Sequence, residues 1–315
     1  MIKRQILTIF GGSSDEHSVS LASGRMVTRF LDKSKYQVST CIISKKGLWS
    51  FNGHKSLGLA NALQHMLKTK YKIAFIALHG PFGEDGKIQS ILESLGLPYT
   101  GSNASVSAIA MDKDLSNKIV QFSKFSVPSY KVFSDKQIRW NFFPCIVKPV
   151  SQGSSYGVNI VKRKADLKKA INSAFRYDSR IMIQKFIRGR EITCSVLEKS
   201  GKPFALPPTE IIPKSSSFFD FKAKYCVGGS AEITPANLTL KQTHEVKKLA
   251  LKAHVIFGCR GMSRSDFILN GKIFYYLETN TIPGLTKTSL LPQQAKAAGI
   301  SFSEMLDLII DSVKT

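Results

Sequence analysis

The sequence predicts an α/β fold in its first part and an α+β arrangement, with an antiparallel sheet, toward its carboxyl end. Two observations support this. Up to about residue 95, apolar strand-like runs alternate with helix-like runs, as in a parallel sheet. Beyond residue 190, strand-like runs follow one another, and a turn at Asn270-Gly271 separates the last two. The 315 residues suffice for two or three domains.

In the first part, strands and helices should alternate. We expect strands at 5–10, 36–43 and 71–78 and helices at 18–31 and 87–95. The turn at 11–16 and the loop at 79–86 each follow a strand. Because ligands on a parallel sheet bind at the carboxyl ends of its strands, we expect this turn and this loop to lie at a ligand site.

From residue 112 the pattern changes twice. A central part should contain strands at 129–133, 144–149, 158–162 and 180–186 and helices at 113–125 and 165–175. The last part should contain strands at 191–198, 204–213, 231–234, 265–269 and 273–280 and helices at 240–257 and 302–313. The stretch 214–230 has turn residues and no periodicity, which predicts a mobile surface loop. We therefore expect three domains, over residues 1–111, 112–190 and 191–315.

Composition excludes several classes of protein. Hydrophobic residues make up 43% of the chain and charged residues 21%, as in ordinary soluble proteins, and no apolar run is long enough for a membrane helix. The short apolar run before Gly11-Gly12 reads as a buried strand rather than a signal peptide. The five cysteines are scattered without CxxC spacing, which favours buried thiols in a reducing compartment. The net charge of +23 is spread along the chain, so no specific nucleic-acid site is expected.

The last predicted hairpin carries a candidate metal site. Glu278 and Asn280 are two residues apart in a strand and share one face, and Asp266 lies on the neighbouring strand. These three side chains offer the oxygen ligands that Mg²⁺ prefers. A strict two-residue turn at Asn270-Gly271 would pair Ser263 with Glu278 and turn Asp266 away. A shared metal site therefore requires an odd-length loop or a β-bulge; the alternative is a solvated hairpin edge.

Two further segments are candidates for binding a nucleotide. The Gly/Ser loop at 151–157 follows Lys148 and lets main-chain N–H groups approach an anion, although it lacks a Walker motif and could be a plain hairpin. Lys113 opens a helix and could bind a phosphate as a point charge. The segment 184–191 joins two apolar strands and can offer main-chain groups to a flat heterocycle, with Glu191 for vicinal hydroxyls.

Together these motifs resemble the D-alanine–D-alanine ligases of the ATP-grasp superfamily, nearly end to end. The matching segments are GGSSDEH at 11–17, ALHG at 77–80, GEDG at 83–86, LPYTGS at 97–102, MDK at 111–113, VKP at 147–149, GSS at 153–155, AKY at 223–225, PA at 235–236, RSD at 264–266, ETNTIPG at 278–284 and SLLP at 289–292.

The resemblance implies an ATP-grasp fold, with a substrate-binding N-terminal domain and ATP held between the central and C-terminal domains. It implies ATP-dependent ligation of two D-alanine molecules through an acyl phosphate, for peptidoglycan precursors. The expected co-substrate is ATP and the expected metal is a pair of Mg²⁺ ions, with Mn²⁺ as an alternative. A homodimer in the bacterial cytoplasm is also implied.

The resemblance assigns roles to individual residues. ATP binding falls to Lys113, Lys148, Ser155, Gln184, Lys185, Ile187, Glu191 and Lys224. The metal ligands are Asp266, Glu278 and Asn280. Substrate contacts fall to Glu16, which receives the first substrate's ammonium, and to His79, Ser289 and Leu290. The catalytic set is Glu16, Ser154, Tyr225, Arg264 and Gly284, of which Arg264 and the Gly284 N–H stabilise the oxyanion of the tetrahedral intermediate.

Some features leave alternatives open. Tyr225 resembles members that make the dipeptide, whereas members that make a D-lactate ester usually carry Phe there. A second substrate other than D-alanine (D-serine or D-lactate) and a catalytically silent nucleotide-binding homologue are the alternatives. The chain departs from the family's usual pattern at four places. These are Gln184 instead of Glu, Tyr156 instead of a small apolar residue, Ser18 instead of an acid, and the segment 227–232, which lacks a Thr-x-Tyr pattern.

Overall fold

The structure is a computed structural model that describes residues 3–213 and 230–313. In this part of the chain the strands are β1 Arg4–Gly11, β2 Tyr36–Ile43, β3 Trp49–Phe51, β4 Ile73–Ile76, β5 Tyr130–Phe133, β6 Cys145–Pro149, β7 Asn159–Val161, β8 Ile181–Lys185, β9 Arg190–Lys199, β10 Lys202–Ala205, β11 Thr209–Pro213, β12 Ser230–Ile233, β13 Met262–Asn270 and β14 Ile273–Asn280. The α-helices are α1 His17–Phe30, α2 Leu59–Thr69, α3 Lys87–Ser94, α4 Ala104–Met111, α5 Lys113–Phe122, α6 Leu167–Ala174, α7 Leu240–Phe257, α8 Leu290–Ala297 and α9 Phe302–Asp311. A 3₁₀ turn at Lys164–Asp166 precedes α6.

The first sheet has the order β3-β2-β1-β4, and β1 pairs in parallel with both β2 and β4. The parallel sheet that the alternating pattern predicts is therefore confirmed. The turn at 11–16 and the loop at 79–86 leave the same edge of this sheet. Helix α1 packs closely on β1 because Gly24 has no side chain: a Cβ there would lie 2.0 Å from the Phe10 ring.

The second sheet is antiparallel, in the order β5-β8-β6-β7. One face packs against α6 in a small core that includes Trp140, Val147 and Ile183. The Gly/Ser loop at 151–157 joins β6 to β7, as the sequence predicts.

The third sheet has the order β12-β11-β9-β13-β14, with β10 paired to the free part of β9. Its strands pair antiparallel throughout. Helix α7 covers one face, where Val246, Phe267 and Tyr276 share a core. The opposite face, which carries Arg264 and Asp266, is left to line cavities.

The first core extends beyond the N-terminal part. It contains β1, β2 and β4 residues together with Ile282, Leu291 and Ile309 from the last part of the chain. The N-terminal sheet is thereby held against α8 and α9. The three-domain division at residues 111 and 190 stays a prediction.

Several elements differ from the predictions, each for a local reason. The predicted strand 204–213 is two strands, because Pro207-Pro208 lacks the N–H groups that a continuous ladder needs. Strand β3 and helices α2, α4 and α8 were not predicted. Helix α8 carries Pro292 in its first turn, where the missing N–H costs little. The loop predicted at 214–230 lies outside the described residues except for Ser230, which begins β12.

The composition-based expectations for cysteines and for membrane helices can be compared with the structure. Four cysteines are buried and unpaired (Cys41, Cys145, Cys194 and Cys259), whereas Cys226 lies outside the described residues. Within residues 3–213 and 230–313, no helix has the length and apolar character needed to cross a membrane. The same residues contain no group of three or more His, Cys, Asp or Glu side chains placed to hold a metal ion.

Candidate functional site

Two cavities meet at the third sheet. The larger, of about 410 Å³, lies between the N-terminal sheet and the last part of the chain, and we call it the substrate cavity. The smaller, of about 130 Å³, lies between the second and third sheets, and we call it the nucleotide slot. Asp266 and Glu278 line both cavities. A larger open groove of about 880 Å³ lies on the outer side of the first sheet and contains none of the predicted site residues.

The position of these two carboxylates depends on a β-bulge in the last hairpin. The turn consists of Gly271 and Lys272, so that Asn270 pairs with Ile273, and the register then shifts between Asp266 and Phe267. Without the shift, Asp266 would pair with Leu277 and would face away from Glu278. With it, Asp266 lies directly opposite Glu278 on one face of the sheet. The turn thus lies one residue later than the predicted Asn270-Gly271. Of the two alternatives that a shared metal site requires, an odd-length loop and a β-bulge, the structure has the bulge.

Arg264 and Asp266 form a bidentate pair on this face. Arg264 Nε and Nη2 donate to the two Asp266 carboxylate oxygens at 2.9 Å each, and Thr193 Oγ1 donates to Oδ1 at 2.5 Å. Asn280 Nδ2 donates to Asp266 Oδ2 at 3.3 Å. The guanidinium is thus held flat against the strand and lines the substrate cavity.

Glu16 sits between two glycine-containing loops. It precedes α1 at the carboxyl edge of the first sheet and is 7% exposed. A Cβ at Gly80 or at Gly153 would lie 3.0 Å from Glu16 Oε1. These two glycines therefore leave the space that the carboxylate occupies, and they bring the Gly/Ser loop of the second sheet to the N-terminal turn.

His79 and Glu84 form a buried pair beside Glu16. His79 Nε2 hydrogen-bonds Ser23 Oγ at 2.8 Å, and His79 Nδ1 lies 3.9 Å from Glu84 Oε1. Burial raises the pKa of Glu84; the neighbouring His79 opposes that rise and the Glu16 carboxylate adds to it. Two neighbouring carboxylates in a cavity favour a cationic ligand group. Glu84 is part of the GEDG motif, but no role was predicted for it from the sequence. The position of that motif at the carboxyl ends of the strands was the signal that could have identified it.

The opposite end of the substrate cavity is the amino end of helix α8. Ser289 is the residue before the helix, and its Oγ accepts from the Thr286 N–H at 3.0 Å. A Cβ at Gly284 would lie 2.7 Å from this Oγ, so only glycine permits the turn to fold this closely. Helix N-termini present unpaired N–H groups and a positive dipole end, which suit a carboxylate.

The nucleotide slot contains two buried lysines. Lys113 Nζ donates to the Gln152 carbonyl at 2.6 Å and lies 3.3 Å from Glu278 Oε2. Lys148 is 7% exposed, and burial together with the Lys113 charge lowers its pKa to about 7, while Glu278 acts in the opposite direction. Such closely spaced cations are costly in a protein alone and would be stabilised by a polyanion.

The rest of the slot is flat and mainly apolar. Ile146, Ile187, Ile268 and Leu277 form its walls. Gln184 is 1% exposed, and neither polar atom of its side chain has a hydrogen-bond partner among the described residues. An apolar slot with a few polar groups is typical of a site for a planar ligand.

Tyr156 links the Gly/Ser loop to the N-terminal part of the chain. Its hydroxyl donates to the Asp15 carbonyl at 3.4 Å, and its ring lies 6.0 Å from that of Tyr177. Ser154 and Ser155 adopt positive φ angles of 47° and 62°. Tyr156, one of the departures noted in the sequence, therefore contacts the N-terminal turn at 11–16.

Nearly all predicted site residues line one of the two cavities. The substrate cavity is lined by Glu16, His79, Ser154, Arg264, Asp266, Glu278, Asn280, Gly284, Ser289 and Leu290. The nucleotide slot is lined by Lys113, Lys148, Ser155, Gln184, Lys185, Ile187, Glu191, Asp266 and Glu278. Lys224 and Tyr225 lie outside the described residues. Sequence reasoning missed Glu84 and Glu232, which also line the substrate cavity.

The metal-ligand prediction can be tested by its chemistry. Asp266, Glu278 and Asn280 contribute two carboxylates and one amide, all oxygen donors, beside lysines that would hold phosphates. Mg²⁺ is usually bound by one or two carboxylates together with water and substrate phosphates rather than by a protein cage. The residues present therefore fit this ion when a nucleotide is bound.

Comparisons with known proteins cover nearly the whole chain. Two family models match, the D-ala D-ala ligase N-terminus over residues 5–102 and the D-ala D-ala ligase C-terminus over residues 116–311. The chain is similar to the D-alanine–D-alanine ligase of Leptospira interrogans, with 39% identity over 98% of this chain and 97% of that protein.

Solved structures give the same result. The D-alanine–D-alanine ligase from Bacillus anthracis complexed with ATP has 34% identity and a TM-score of 0.80, covering 98% of this chain and 97% of that one. The VanG D-Ala:D-Ser ligase from Enterococcus faecalis has 30% identity and a TM-score of 0.83, covering 98% of this chain and 99% of that one.

Proposed function

This chain belongs to the D-alanine–D-alanine ligase family, with its ATP-grasp fold, and from that premise we propose how its two cavities divide the reaction. The enzyme joins two molecules of D-alanine to D-alanyl-D-alanine for peptidoglycan synthesis. The nucleotide slot binds ATP, and the substrate cavity binds both amino acids.

One observation carries this division: Asp266 and Glu278 form the wall that the two cavities share. A phosphoryl group that passes from the nucleotide to a substrate carboxylate must move from one cavity to the other, beside these two side chains. The lysines lie on one side of it and Arg264 on the other, so cations are available along the whole path.

The first D-alanine binds at the N-terminal edge of the substrate cavity. Its ammonium is held by the carboxylates of Glu16 and Glu84, which are both buried at this edge of the cavity. Its carboxylate then points toward the shared wall, where one oxygen attacks the γ-phosphorus of ATP. ADP leaves and D-alanyl phosphate remains.

Positive charge stabilises this transfer. Lys113 and Lys148 hold phosphate oxygens. The negative charge of a phosphate beside Lys148 raises the pKa that burial lowers, so that this lysine is protonated when the nucleotide is bound. Asp266, Glu278 and Asn280 would hold the expected pair of Mg²⁺ ions, which neutralise charge on the phosphate oxygens when bound. Glu191 and the linker residues Lys185 and Ile187 contact the nucleoside, and Ser155 contacts the phosphates.

The second D-alanine completes the reaction. Its carboxylate binds at the amino end of α8, beside Ser289 and Leu290. Its amine attacks the acyl phosphate carbonyl, and the resulting oxyanion accepts hydrogen bonds from Arg264 and the Gly284 N–H. Collapse of this intermediate expels phosphate and leaves the peptide.

Other assignments follow from the family resemblance. Lys224 and Tyr225 belong to a loop that closes over the substrates and excludes water, which would hydrolyse the acyl phosphate. Tyr225, with Ser154 and Glu16, directs the product toward the peptide rather than an ester. A homodimer in the bacterial cytoplasm, and domains at 1–111, 112–190 and 191–315, complete the proposal.

The test is ATP consumption by the purified protein with Mg²⁺ and D-alanine, with products identified by mass. L-alanine, and mixtures of D-alanine with D-serine or D-lactate, are the comparisons. We expect ADP, phosphate and D-alanyl-D-alanine with the D-isomer alone. An excess of the mixed D-Ala–D-Ser product would identify D-serine as the second substrate. Nucleotide binding without turnover would indicate a catalytically silent nucleotide-binding homologue.

A further inference from the structure

Gln184 is a buried polar side chain whose hydrogen-bonding groups are left unpaired by residues 3–213 and 230–313. It lies in β8, opposite Tyr130 and Ile146, and its main chain takes part in the sheet. Its side chain is 1% exposed, yet neither Nε2 nor Oε1 has a hydrogen-bond partner among the described residues. Because buried amide groups are almost always paired, this one is placed for a ligand that fills the slot.

The sheet register locates that ligand group. Gln184 pairs with Ile146, which is two positions from Lys148 on β6 and therefore on the same face. The backbone positions of Gln184 and Lys148 are thus offset by about 7 Å along the strand direction. With phosphates at Lys148, the base of a nucleotide extends toward Gln184 between Ile146 and Leu277, which line the same slot.

An amide reads a base edge differently from a carboxylate. It offers one acceptor and two donor hydrogens, and turning it by 180° exchanges the acceptor and donor positions. Adenine presents an amino donor at C6 and an acceptor at N1, whereas hypoxanthine presents an oxo acceptor at C6 and a donor at N1. One orientation of the amide suits the first base and the other orientation suits the second.

We propose that Gln184 contacts the C6 edge of the purine and permits the enzyme to use 6-oxopurine nucleotides as well as ATP. This inference rests on the proposed function of the nucleotide slot. A carboxylate at this position would only accept hydrogen bonds, so it would retain adenine and reject a 6-oxo group, whose oxygen it would face directly.

The test compares ATP with inosine triphosphate, which differs from it only at C6 and N1. We expect the wild-type ratio of kcat/KM for inosine triphosphate to that for ATP to lie within about tenfold of one. In Gln184→Glu the ratio should fall by tenfold or more, because a buried donor–acceptor mismatch costs at least that much. Gln152→Glu is the matched control: it adds the same charge to the same slot, where Gln152 donates to the Tyr177 carbonyl, and should leave the ratio unchanged.

The inference would be overturned by a wild-type ratio below about one tenth, or by a ratio that Gln184→Glu leaves unchanged. Failure of the ligase proposal looks different, because then no nucleotide supports D-alanine-dependent turnover. In that case calorimetry with ADP and inosine diphosphate measures the same preference by binding alone, in the wild type and in both variants. Loss of binding of both nucleotides in Gln184→Glu, with the fold intact by circular dichroism, would also contradict the inference.

Discussion

Lys148→Met tests the electrostatic account of the nucleotide slot without any substrate. Burial lowers the pKa of Lys148 from its ordinary 10.5 to about 7. At about 1.4 kcal/mol per pH unit, the charged form destabilises the nucleotide-free protein by about 5 kcal/mol relative to an exposed lysine. Methionine fills similar space without charge, so the variant should be more stable than the wild type at pH 6, by up to this amount.

The sign of the pH dependence is fixed by the two pKa values. Below pH 7 Lys148 is protonated in both states and the penalty is fully present. Between pH 7 and 10.5 the unfolded chain binds more protons than the folded one, so the stability of the wild type rises with pH. The stability difference between Lys148→Met and wild type should therefore shrink by about 3 kcal/mol from pH 6 to pH 9.

The assay is urea denaturation followed by tryptophan fluorescence. In a Trp49→Phe background the signal comes from Trp140, which is buried in the same core as Cys145 and Val147 on the strand of Lys148. Lys248→Met, at an exposed position on α7, is the control and should show no such pH-dependent difference. A stability difference that is the same at pH 6 and pH 9, or a variant less stable than wild type at pH 6, would refute the reasoning.

Three further predictions concern the substrate cavity. Arg264→Ala should lower kcat by a factor on the order of 10²–10³, as expected for one oxyanion donor; near-normal turnover would remove that role. Gly153→Ala should raise the KM for D-alanine several-fold more than the KM for ATP, because the new methyl would lie 3.0 Å from Glu16 Oε1. The control is Gly58→Ala, whose methyl meets open space and should change neither KM. Equal changes of KM in the two variants would contradict the prediction. Tyr225→Phe should raise the ester-to-peptide ratio when D-lactate competes with D-alanine; an unchanged ratio would count against its proposed role.

The strongest sequence-based prediction was the one with a geometric condition attached. The order of Asp266, Glu278 and the Asn270-Gly271 pair showed that a regular hairpin could not bring the two acids together, and the bulge that resolves this is present. The carboxyl-edge prediction for the loops around Glu16 and His79 was likewise sound, because strand direction in a parallel sheet follows from the alternation of strands and helices.

The features of the site that could not be predicted from the sequence depend on contacts between residues far apart in the chain. The lowered pKa of Lys148 comes from burial between two sheets, whereas the sequence shows only that this lysine ends an apolar strand. Glu84 acquires its significance from His79 and Glu16, and no local pattern marks that convergence. Glu232 reaches the substrate cavity only because β12 pairs with β11 at the sheet edge.

The central claim is that D-alanine is activated as an acyl phosphate at the wall between the two cavities. The most direct measurement uses D-alanine labelled with ¹⁸O in both carboxylate oxygens, with mass analysis of the phosphate released during ligation. The account predicts one ¹⁸O in the phosphate for each dipeptide formed, because the carboxylate oxygen that attacks ATP leaves with phosphorus. Phosphate free of ¹⁸O, with the dipeptide still produced, would contradict it.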